Sequence, residues 1–408
     1  MADEQFRQEQ VALHEPPGEG TGPTGCRPGP PTRRFMADEQ AQRARGSLQH
    51  LAGCLAFTLL AWAAGCRTAG PNATTAVPKA TLRSAGILHF PGANRPSPEE
   101  PGECDCNSPL HWDGNTLYVF NSAGHPWRAS GPDLARLGQD YLQIEYSNVT
   151  EGGRWIESTW RVKDGTLYGW YHFEPAGLCP ETTLTAPRIG ALRSRDNGAH
   201  WQDLGVIIEA RPDTLHCASR NFYFAGGNGD FSVMLDRKQE WLYFLFSTYA
   251  GETPEQGVAV ARLRWSQRDD PVGKVRKWHA GAWNETGRGG RVTPIFTAQT
   301  DWHQEDADAL WGPSIHWNSH LRQYVMLLNR ASDFRWRQEG VYVSFNPDLA
   351  NPAGWSPPEK ILGDLQPQGW YPQVVGLDAK QRETDKLAGR TARLFVRGES
   401  RWEVEFGW

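Results

Sequence analysis

The chain has 408 residues, of which 22% are charged, and its formal net charge is −5 at pH 7. This mild acidity argues against a nucleic-acid-binding protein, which normally presents a basic surface.

The N-terminal region is expected to be a leader and not part of the fold. Residues 51–65 form a short apolar run after Arg43, too short for a confident membrane span and typical of a secretory signal. The run ends in Ala-Ala-Gly-Cys66, which resembles a bacterial lipobox with Cys66 as the lipidated residue. Plain cleavage is the alternative. We therefore predict a leader over 1–66 and export to the periplasm or cell surface, with membrane contact only through this signal or anchor.

Two further features concern the ends of this leader. The opening phrase Met1-Ala-Asp-Glu-Gln recurs at Met36, which makes Met36 a second candidate for the true start. After the leader, residues 67–100 are rich in Pro, Ala and Thr, a composition that predicts a flexible tether.

One sequence motif recurs several times in the remainder of the chain. Ser108–Tyr118 and Ser158–Tyr168 each contain an apolar-alternating strand, an Asp-Gly turn and a second strand that opens with Leu-Tyr. Looser copies cover 232–243, 314–324 and 373–396. Asp-Gly between alternating strands predicts a β-hairpin, and repetition at this scale predicts a propeller or solenoid.

A second strand pair follows most hairpins. The clearest turn between such strands is Ser194-Arg-Asp-Asn-Gly-Ala-His-Trp201, which matches the Asp-box pattern of propeller blades. Four strands in each of five units predict an all-β, five-bladed β-propeller of four-stranded blades over residues 101–408. A two-sheet sandwich is the alternative, but it does not require the same hairpin in every unit.

Ring closure needs one additional strand, because the last unit shows only three convincing strands. The apolar stretch Thr81–Phe90, ahead of the first blade, could supply the missing strand and close the ring.

Four cysteines lie after the leader and tether. Export favours disulfides among them, and Cys104-Asp-Cys106 cannot easily pair within itself, so we predict bonds from this pair to Cys179 and Cys217. A zinc site that combines them with His216 is the weaker alternative.

Propeller geometry predicts where the site lies. The starts of the innermost strands and the loops between second and third strands converge at one mouth of the central channel. The acidic residues at these positions are Asp105, Glu157, Glu174 and Asp230. The other residues expected there, as substrate-binding groups, are Asn107, His125, Trp127, His172, Arg188, Arg220, Asp308, Trp311, Arg330, Trp370 and Tyr371.

Carboxylates, arginines and tryptophans around one mouth indicate a carbohydrate site, because a tryptophan face suits a sugar ring. Glycosidic hydrolysis needs one protonated and one ionised carboxyl group, and crowded acids raise the pKa of one of them. The sequence therefore predicts a glycosidase in which Glu157 or Glu174 donates the proton, and Asp230 with Asp105 activates water or tunes the donor.

The five units, with acidic or polar residues at successive inner-strand starts, resemble the five-bladed propeller glycoside hydrolases, namely the arabinanase/xylosidase group (family 43) and the invertase-like group. The resemblance covers about 101–408 and is architectural. It implies a base, a pKa-tuning acid and a general acid from the first three blades. Here Glu157 and Asp230 match blades two and three, whereas Asn107 stands near the first strand start, with Asp105 close by. The resemblance implies a carbohydrate substrate and no cofactor.

Several alternatives stay open at this point. A non-catalytic carbohydrate-binding or scaffold propeller would use the same mouth without cleavage. A lyase, or a hydrolase that uses phosphate or a metal, would gather His125, His172 and His216. Sialidases share the Asp box, but they have six blades. No metal ligands are assigned, although the acid-rich loop 301–308 could bind a structural calcium ion. The histidines His111, His200 and His316 are expected to be packed or exposed, not catalytic, and a monomer is expected.

Overall fold

The computed structural model describes residues 76–91, 104–138, 140–148, 153–180, 182–363 and 370–408. The predicted apolar segment 51–65, Cys66 and Met36 lie outside these residues. Within the described part of the chain, no helix is both long enough and apolar enough to cross a membrane. Regular structure there is almost entirely β, with short 3₁₀ helices at Leu134–Arg136, Pro212–Thr214, Thr253–Glu255, Trp265–Gln267, Pro352–Gly354 and Ala379–Gln381.

The strands are numbered in chain order. They are β1 (Lys79–His89), β2 (Leu110–Asp113), β3 (Thr116–Asn121), β4 (Trp127–Gly131), β5 (Asp140–Gln143), β6 (Glu145–Tyr146), β7 (Arg154–Arg161), β8 (Leu167–Phe173), β9 (Arg188–Ser194), β10 (His200–Ile208), β11 (Asn228–Leu235), β12 (Trp241–Thr248), β13 (Gly257–Arg264), β14 (Arg276–His279), β15 (Ala282–Thr286), β16 (Phe296–Thr297), β17 (Ala309–Asn318), β18 (Gln323–Ala331), β19 (Gln338–Asn346), β20 (Glu359–Gly363), β21 (Pro372–Gly376), β22 (Leu387–Ala388), β23 (Thr391–Val396) and β24 (Glu399–Gly407).

These strands form five sheets, and the sheets are the blades of a five-bladed β-propeller. Blade 1 contains β2–β5, blade 2 β7–β10, blade 3 β11–β15, blade 4 β17–β20, and blade 5 β21, β23, β24 and β1. Short strands extend three blades: β6 runs parallel to β10, β22 runs parallel to β17, and β16 pairs with β13. The predicted fold class is confirmed, and the sandwich alternative is wrong.

The predicted hairpins form the inner half of each blade. In the first, Asp113 pairs with Thr116 across a turn at Gly114-Asn115, and Gly114 has a φ of 56°, a conformation that favours glycine. In the second, Arg161 pairs with Leu167. The turn chemistry that identified the repeat in the sequence therefore makes the hairpins in the structure.

The ring closes through β1, which pairs antiparallel with β24 from Lys79↔Gly407 to His89↔Glu399. Immediately after this strand, Phe90 stacks on Phe395 of blade 5 with ring centroids 4.0 Å apart. The missing strand expected near Thr81–Phe90 is therefore present. The prediction of a flexible tether over 67–100 is therefore wrong for residues 79–89, which form a strand of the propeller.

Five apolar clusters fill the gaps between successive blades. One representative pair from each gap, in the order 1–2, 2–3, 3–4, 4–5 and 5–1, is Phe120 with Trp201, Trp170 with Phe244, Leu245 with Met326, Val343 with Leu394, and Phe395 with Leu110. A single blade cannot bury both of its faces, so the neighbours supply the apolar cover for each other. Each fully buried side chain of this size contributes about 1.5–3 kcal/mol.

The turn between β9 and β10 is held by its own side chains. Asp196 accepts hydrogen bonds from the backbone N–H groups of Ala199 (3.1 Å) and His200 (3.0 Å), and Ser194 Oγ accepts one from Gly198 (2.9 Å). Trp201 at the end of the motif is completely buried. These contacts stabilise the blade and lie outside the cavity described below.

The cysteine prediction was wrong in its pairing. Cys179 and Cys217 form the disulfide, with Cα atoms 5.3 Å apart, whereas Cys104 and Cys106 are buried thiols. The reason is tertiary: Cys104 packs among the apolar residues between blades 5 and 1, while Cys179 and Cys217 meet in the connections that follow β8 and β10. The alternative zinc site with His216 is wrong, because the sulfurs of Cys179 and Cys217 are bonded to each other and cannot bind a metal as thiolates.

Candidate functional site

A cavity of about 150 Å³ opens at the mouth where the inner strands begin, and all five blades contribute to it. Its aromatic wall consists of Trp155, Tyr223, Phe224, Trp311, Trp336, Trp370 and Tyr371. Its polar groups are Asp105, Cys106, His172, Glu174 and Asp230. An enclosed aromatic cavity with a few convergent polar groups is the usual form of a small-molecule site.

Asp105 and Glu174 are the two acidic residues of the cavity lining that are half-buried, whereas Asp230 is buried. Asp105 lies just before β2 and accepts a hydrogen bond from Trp155 Nε1 at 3.2 Å. Glu174 follows β8 and accepts one from His172 Nε2 at 3.1 Å. Each carboxylate is therefore held in place by a ring from blade 2.

A second group of side chains lies deeper and is almost completely buried. Cys106, Glu157, His172 and Asp230 each offer a sulfur, oxygen or nitrogen atom, and these atoms all lie within 4.8 Å of one another. Their residues are 1–4% exposed. We call this group the buried cluster.

Hydrogen bonds fix the outer atom of each charged member of the buried cluster. Phe231 N–H donates to Glu157 Oε2 at 2.8 Å, and Tyr249 OH donates to Asp230 Oδ2. His172 Nε2 bonds to Glu174 on its other side, as described above. The remaining atoms, Glu157 Oε1, His172 Nδ1 and Asp230 Oδ1, face each other, with Nδ1 3.2 Å from Oε1 and 4.0 Å from Oδ1.

Burial changes the proton affinities of these groups. Loss of water raises the pKa of Asp105 to about 6, against the opposing charge of Arg397. Burial also raises the pKa of Asp230 to about 7, and the His172 imidazole opposes that shift. The thiol of Cys106 has its pKa raised well above the ordinary value by burial and by the nearby Glu157.

Asp230 adopts an unusual backbone conformation, with a φ of 42°. A non-glycine residue with positive φ is uncommon and costs of order 1–3 kcal/mol. Its side chain is thereby placed between the Tyr249 hydroxyl and the buried cluster. Tyr371, on the cavity wall, has a φ of 56°.

The structure brings together seven predicted residues on the cavity lining and places two more directly beneath it. Asp105, His172, Glu174, Asp230, Trp311, Trp370 and Tyr371 line the cavity. Glu157 lies in the buried cluster. Asn107 spans the channel, where its Nδ2 donates to Phe231 O (3.3 Å) and Pro313 O (3.1 Å).

Six predicted substrate-binding residues lie elsewhere. His125 bonds to Ile144 O at 2.9 Å within blade 1, and Trp127 lies on β4 and pairs with Asn121. The arginines are engaged by other partners: Arg188 with Glu209 at 3.5 Å, Arg220 with Gln304 at 2.6 Å, and Arg330 with Asp308 at 2.8 Å. Strand order predicts which mouth a residue approaches, but not whether its side chain turns inward, and these turn to local partners.

Sequence reasoning missed several functional candidates. Cys106 was expected to form a disulfide. Tyr249 was expected in a loop at the mouth, between the second and third strands of blade 3, but neither it nor Trp336 was chosen as a site residue. Cys106 sits beside Asp105 at the start of an inner strand, so its position was a usable signal. Trp336 lies in the loop between β18 and β19, the second and third strands of blade 4, so its position was also a usable signal. There it stacks tilted against Trp302, with ring centroids 4.5 Å apart.

The predicted structural histidines are as expected. His111 and His316 are buried, 4% and 1% exposed, and His200 is exposed. In the loop 301–308, predicted to bind calcium, two of the acidic side chains have protein partners. Asp301 accepts a hydrogen bond from His303 N–H (2.8 Å), and Asp308 forms an ion pair with Arg330.

Three larger pockets in the described part of the chain are less suited to acid–base chemistry, and one of them, of about 510 Å³, has Asp164 as its single carboxyl residue. The other two differ in their lining. One of about 470 Å³ is lined by Trp112, Trp160 and Trp317 with several basic residues, but it has no carboxyl side chain. The other, of about 800 Å³, has its most enclosed acid, Glu255, paired with Arg211 at 3.3 Å and Arg291 at 2.5 Å.

Comparison with known proteins gives a likeness of fold. No family model matches the chain, and no curated protein matches it. Among solved structures, it is similar to an exo-beta-1,3-galactanase from Phanerochaete chrysosporium at 12% identity, covering 80% of this chain and 64% of that chain, with a TM-score of 0.43. It is also similar to an endo-arabinase from Bacteroides thetaiotaomicron (13% identity, 79% and 97% covered, TM-score 0.43).

A third similar structure is the catalytic domain of a GH62 alpha-L-arabinofuranosidase from Coprinopsis cinerea, at 9% identity, with 80% and 96% covered and a TM-score of 0.46.

Proposed function

We propose that the protein hydrolyses glycosidic bonds in the cavity at the propeller mouth. The observation that carries the proposal is the pair Asp105 and Glu174, two half-buried acidic residues held by Trp155 and His172 within one aromatic-walled cavity. Such a pair is the minimum that glycoside hydrolysis requires.

The two carboxyl groups differ in a way that suits two roles. Burial favours the protonated form of Asp105, so Asp105 is the proton donor to the leaving oxygen. Glu174, whose side chain is 33% exposed, is the base or nucleophile, and the bond from His172 orients it. Asp230 is then a neighbour that tunes the site and not the base.

The size of the cavity supports attack near a chain end. A volume of about 150 Å³ lies below the ~300–1,000 Å³ of ordinary ligand pockets. A single sugar ring is therefore the expected occupant, with its apolar face on one of the tryptophans.

The test is a reducing-sugar screen over polysaccharides and aryl glycosides, followed by Asp105→Asn and Glu174→Gln. Loss of general acid or base catalysis should lower kcat about 10²–10⁴-fold. Asp213→Asn and Glu305→Gln, which change exposed acids outside the cavity, are the controls and should retain full activity. Release of reducing ends at the wild-type rate by both cavity variants would exclude this mechanism. Glycan binding with no new reducing ends would replace it by a carbohydrate-binding function.

We propose further that the chain is exported and lipid-anchored at Cys66. The disulfide Cys179–Cys217 supports export, since such bonds persist in oxidising compartments. In cells that process lipoproteins, the wild type should be in the membrane fraction and Cys66→Ala should not. Recovery of both proteins from the cytosol would contradict export.

A further inference from the structure

The buried cluster contains more electron-pair donors than its own hydrogens can satisfy. Glu157 Oε1 is buried and accepts no hydrogen bond. The ring nitrogen beside it, His172 Nδ1, is 3.2 Å from Oε1 and also accepts a hydrogen bond from the backbone N–H of Asp230 at 3.1 Å. As an acceptor, Nδ1 takes that N–H, and the Cys106 S–H is directed at Asp230 Oδ1 (Sγ to Oδ1, 3.8 Å), so Oε1 has no donor. As a donor, Nδ1 serves Oε1 and leaves the N–H without an acceptor. A buried polar group without a partner costs about 1–3 kcal/mol, more when it is charged.

We infer that Cys106, Glu157, His172 and Asp230 form a binding site for a single transition-metal dication of the zinc type. The four atoms that would bind it are Cys106 Sγ, Glu157 Oε1, His172 Nδ1 and Asp230 Oδ1. They come from three different blades and already lie within 4.8 Å of each other. The inference does not rest on the proposed hydrolysis, although His172 and Asp230 also line the cavity.

The surroundings of the four atoms are those of a metal site. Ligands of a bound metal are usually oriented by hydrogen bonds to their outer atoms, and a metal-binding imidazole typically donates its other N–H to a carboxylate. Here Glu174 holds Nε2 of His172, Phe231 N–H holds Oε2 of Glu157, and Tyr249 holds Oδ2 of Asp230. In each case the second atom of the same side chain points into the cluster.

The donor types select the class of metal. One thiolate, one imidazole and two carboxylates suit a four-coordinate zinc-type ion. Calcium and magnesium prefer six or more oxygen ligands, which this set does not provide. The ion would take the lone pairs of all four atoms, at the expense of the backbone hydrogen bond to Nδ1, and its charge would offset that of the buried carboxylates.

An entry route exists. Cys106, His172 and Asp230 contribute to the lining of the cavity, so an ion that enters the mouth reaches three of the four ligands directly. Glu157 lies behind them and completes the site.

The experiment uses the 408-residue chain, stripped with a chelator and titrated with Co²⁺ alone. We expect one Co²⁺ per chain, visible absorption of tetrahedral cobalt, and a thiolate-to-cobalt charge-transfer band that Zn²⁺ removes by displacement. Cys106→Ser should abolish the charge-transfer band and weaken binding at least tenfold. Cys104→Ser, which changes the other buried thiol, is the matched control and should keep the band. Glu174→Gln should keep the band but weaken binding about 10–100-fold, the effect expected for an outer hydrogen-bond partner.

Absence of stoichiometric cobalt binding to the wild type would overturn the inference, and so would a charge-transfer band that survives Cys106→Ser. Should Cys106→Ser fail to fold, Glu157→Gln and the thermal unfolding of the wild type with and without Zn²⁺ decide the question. Zinc should raise the wild-type midpoint and should have a much smaller effect on Glu157→Gln. None of these measurements depends on glycan cleavage, so the metal site and the proposed activity can fail separately.

Discussion

Glu174 and His172 are joined by a hydrogen bond of 3.1 Å that links the open cavity to the buried interior. Glu174 has a side chain that is 33% exposed, whereas that of His172 is 3% exposed. Two residues apart at the end of β8, they place a solvent-accessible carboxylate directly on a ring that faces the buried cluster. One hydrogen bond therefore connects the carboxylate of the cavity to a side chain of the buried cluster.

The aromatic wall should determine substrate affinity. Trp370→Ala removes one large face of the cavity, and we expect KM to rise about tenfold while kcat changes little, because the lost contact is made equally in the ground and transition states. Steady-state kinetics on the best substrate from the screen measure this. Trp408→Ala, at a tryptophan that is 56% exposed and outside the cavity, should match the wild type. A fall in kcat with unchanged KM would show that Trp370 acts on the reaction step instead.

Ring closure by β1 should be essential for stability. A chain that begins at residue 101 lacks β1, which pairs with β24, and it lacks Phe90, whose side chain stacks on Phe395. It should unfold at much lower denaturant concentration than a chain that begins at residue 76, which keeps the complete strand. Urea denaturation followed by tryptophan fluorescence compares the two. Equal midpoints would mean that blade 5 does not need its outer strand.

The disulfide should stabilise the propeller appreciably. Closure of a segment of 38 residues between Cys179 and Cys217 restricts the unfolded chain by about 4 kcal/mol in the loop-entropy model. The double variant Cys179→Ala/Cys217→Ala should lose a free energy of unfolding of that order. Peptide mapping without reductant should recover Cys179 linked to Cys217. Linkage of either one to Cys104 or Cys106 would contradict the structure.

Acid should destabilise the protein through His316. Burial, and then the charge of Lys386, lower the pKa of His316 from 6.5 to about 3. Because the unfolded chain takes up the proton first, this contribution to stability is complete above pH 6.5 and is lost as the pH falls from 6.5 towards 3. At pH 4.5, wild type should have lost about 3 kcal/mol more than His316→Gln, at about 1.4 kcal/mol per pH unit.

The measurement is urea unfolding of both proteins at pH 7.5 and pH 4.5. His320→Gln, at an exposed histidine, should follow the wild type. If the free energy of unfolding falls equally in wild type and His316→Gln between the two pH values, the acid sensitivity belongs to other groups.

The sequence by itself determined the architecture. Turn chemistry such as Asp113-Gly114 and the alternation of apolar residues on either side are local, so they specify hairpins without reference to the rest of the chain. Five such hairpins, most of them followed by a second strand pair, were sufficient to predict five blades and the strand that closes the ring. The same reasoning indicated one mouth for Asp105, Glu174 and Asp230, because strand starts in a propeller share a face.

Only the tertiary structure decided which side chains meet. The sequence positions of Arg330 and Asp308 predict that both lie at the mouth, but their side chains bond to each other. Cys106 meets His172 and Asp230 from other blades instead of forming a disulfide. The pairing of sulfurs and the inward or outward direction of a side chain depend on packing between separate segments of the chain. The separation is 22 residues for Arg330 and Asp308, 38 for Cys179 and Cys217, and 124 for Cys106 and Asp230. No local pattern records such contacts, because they exist only once the five blades have closed around their channel.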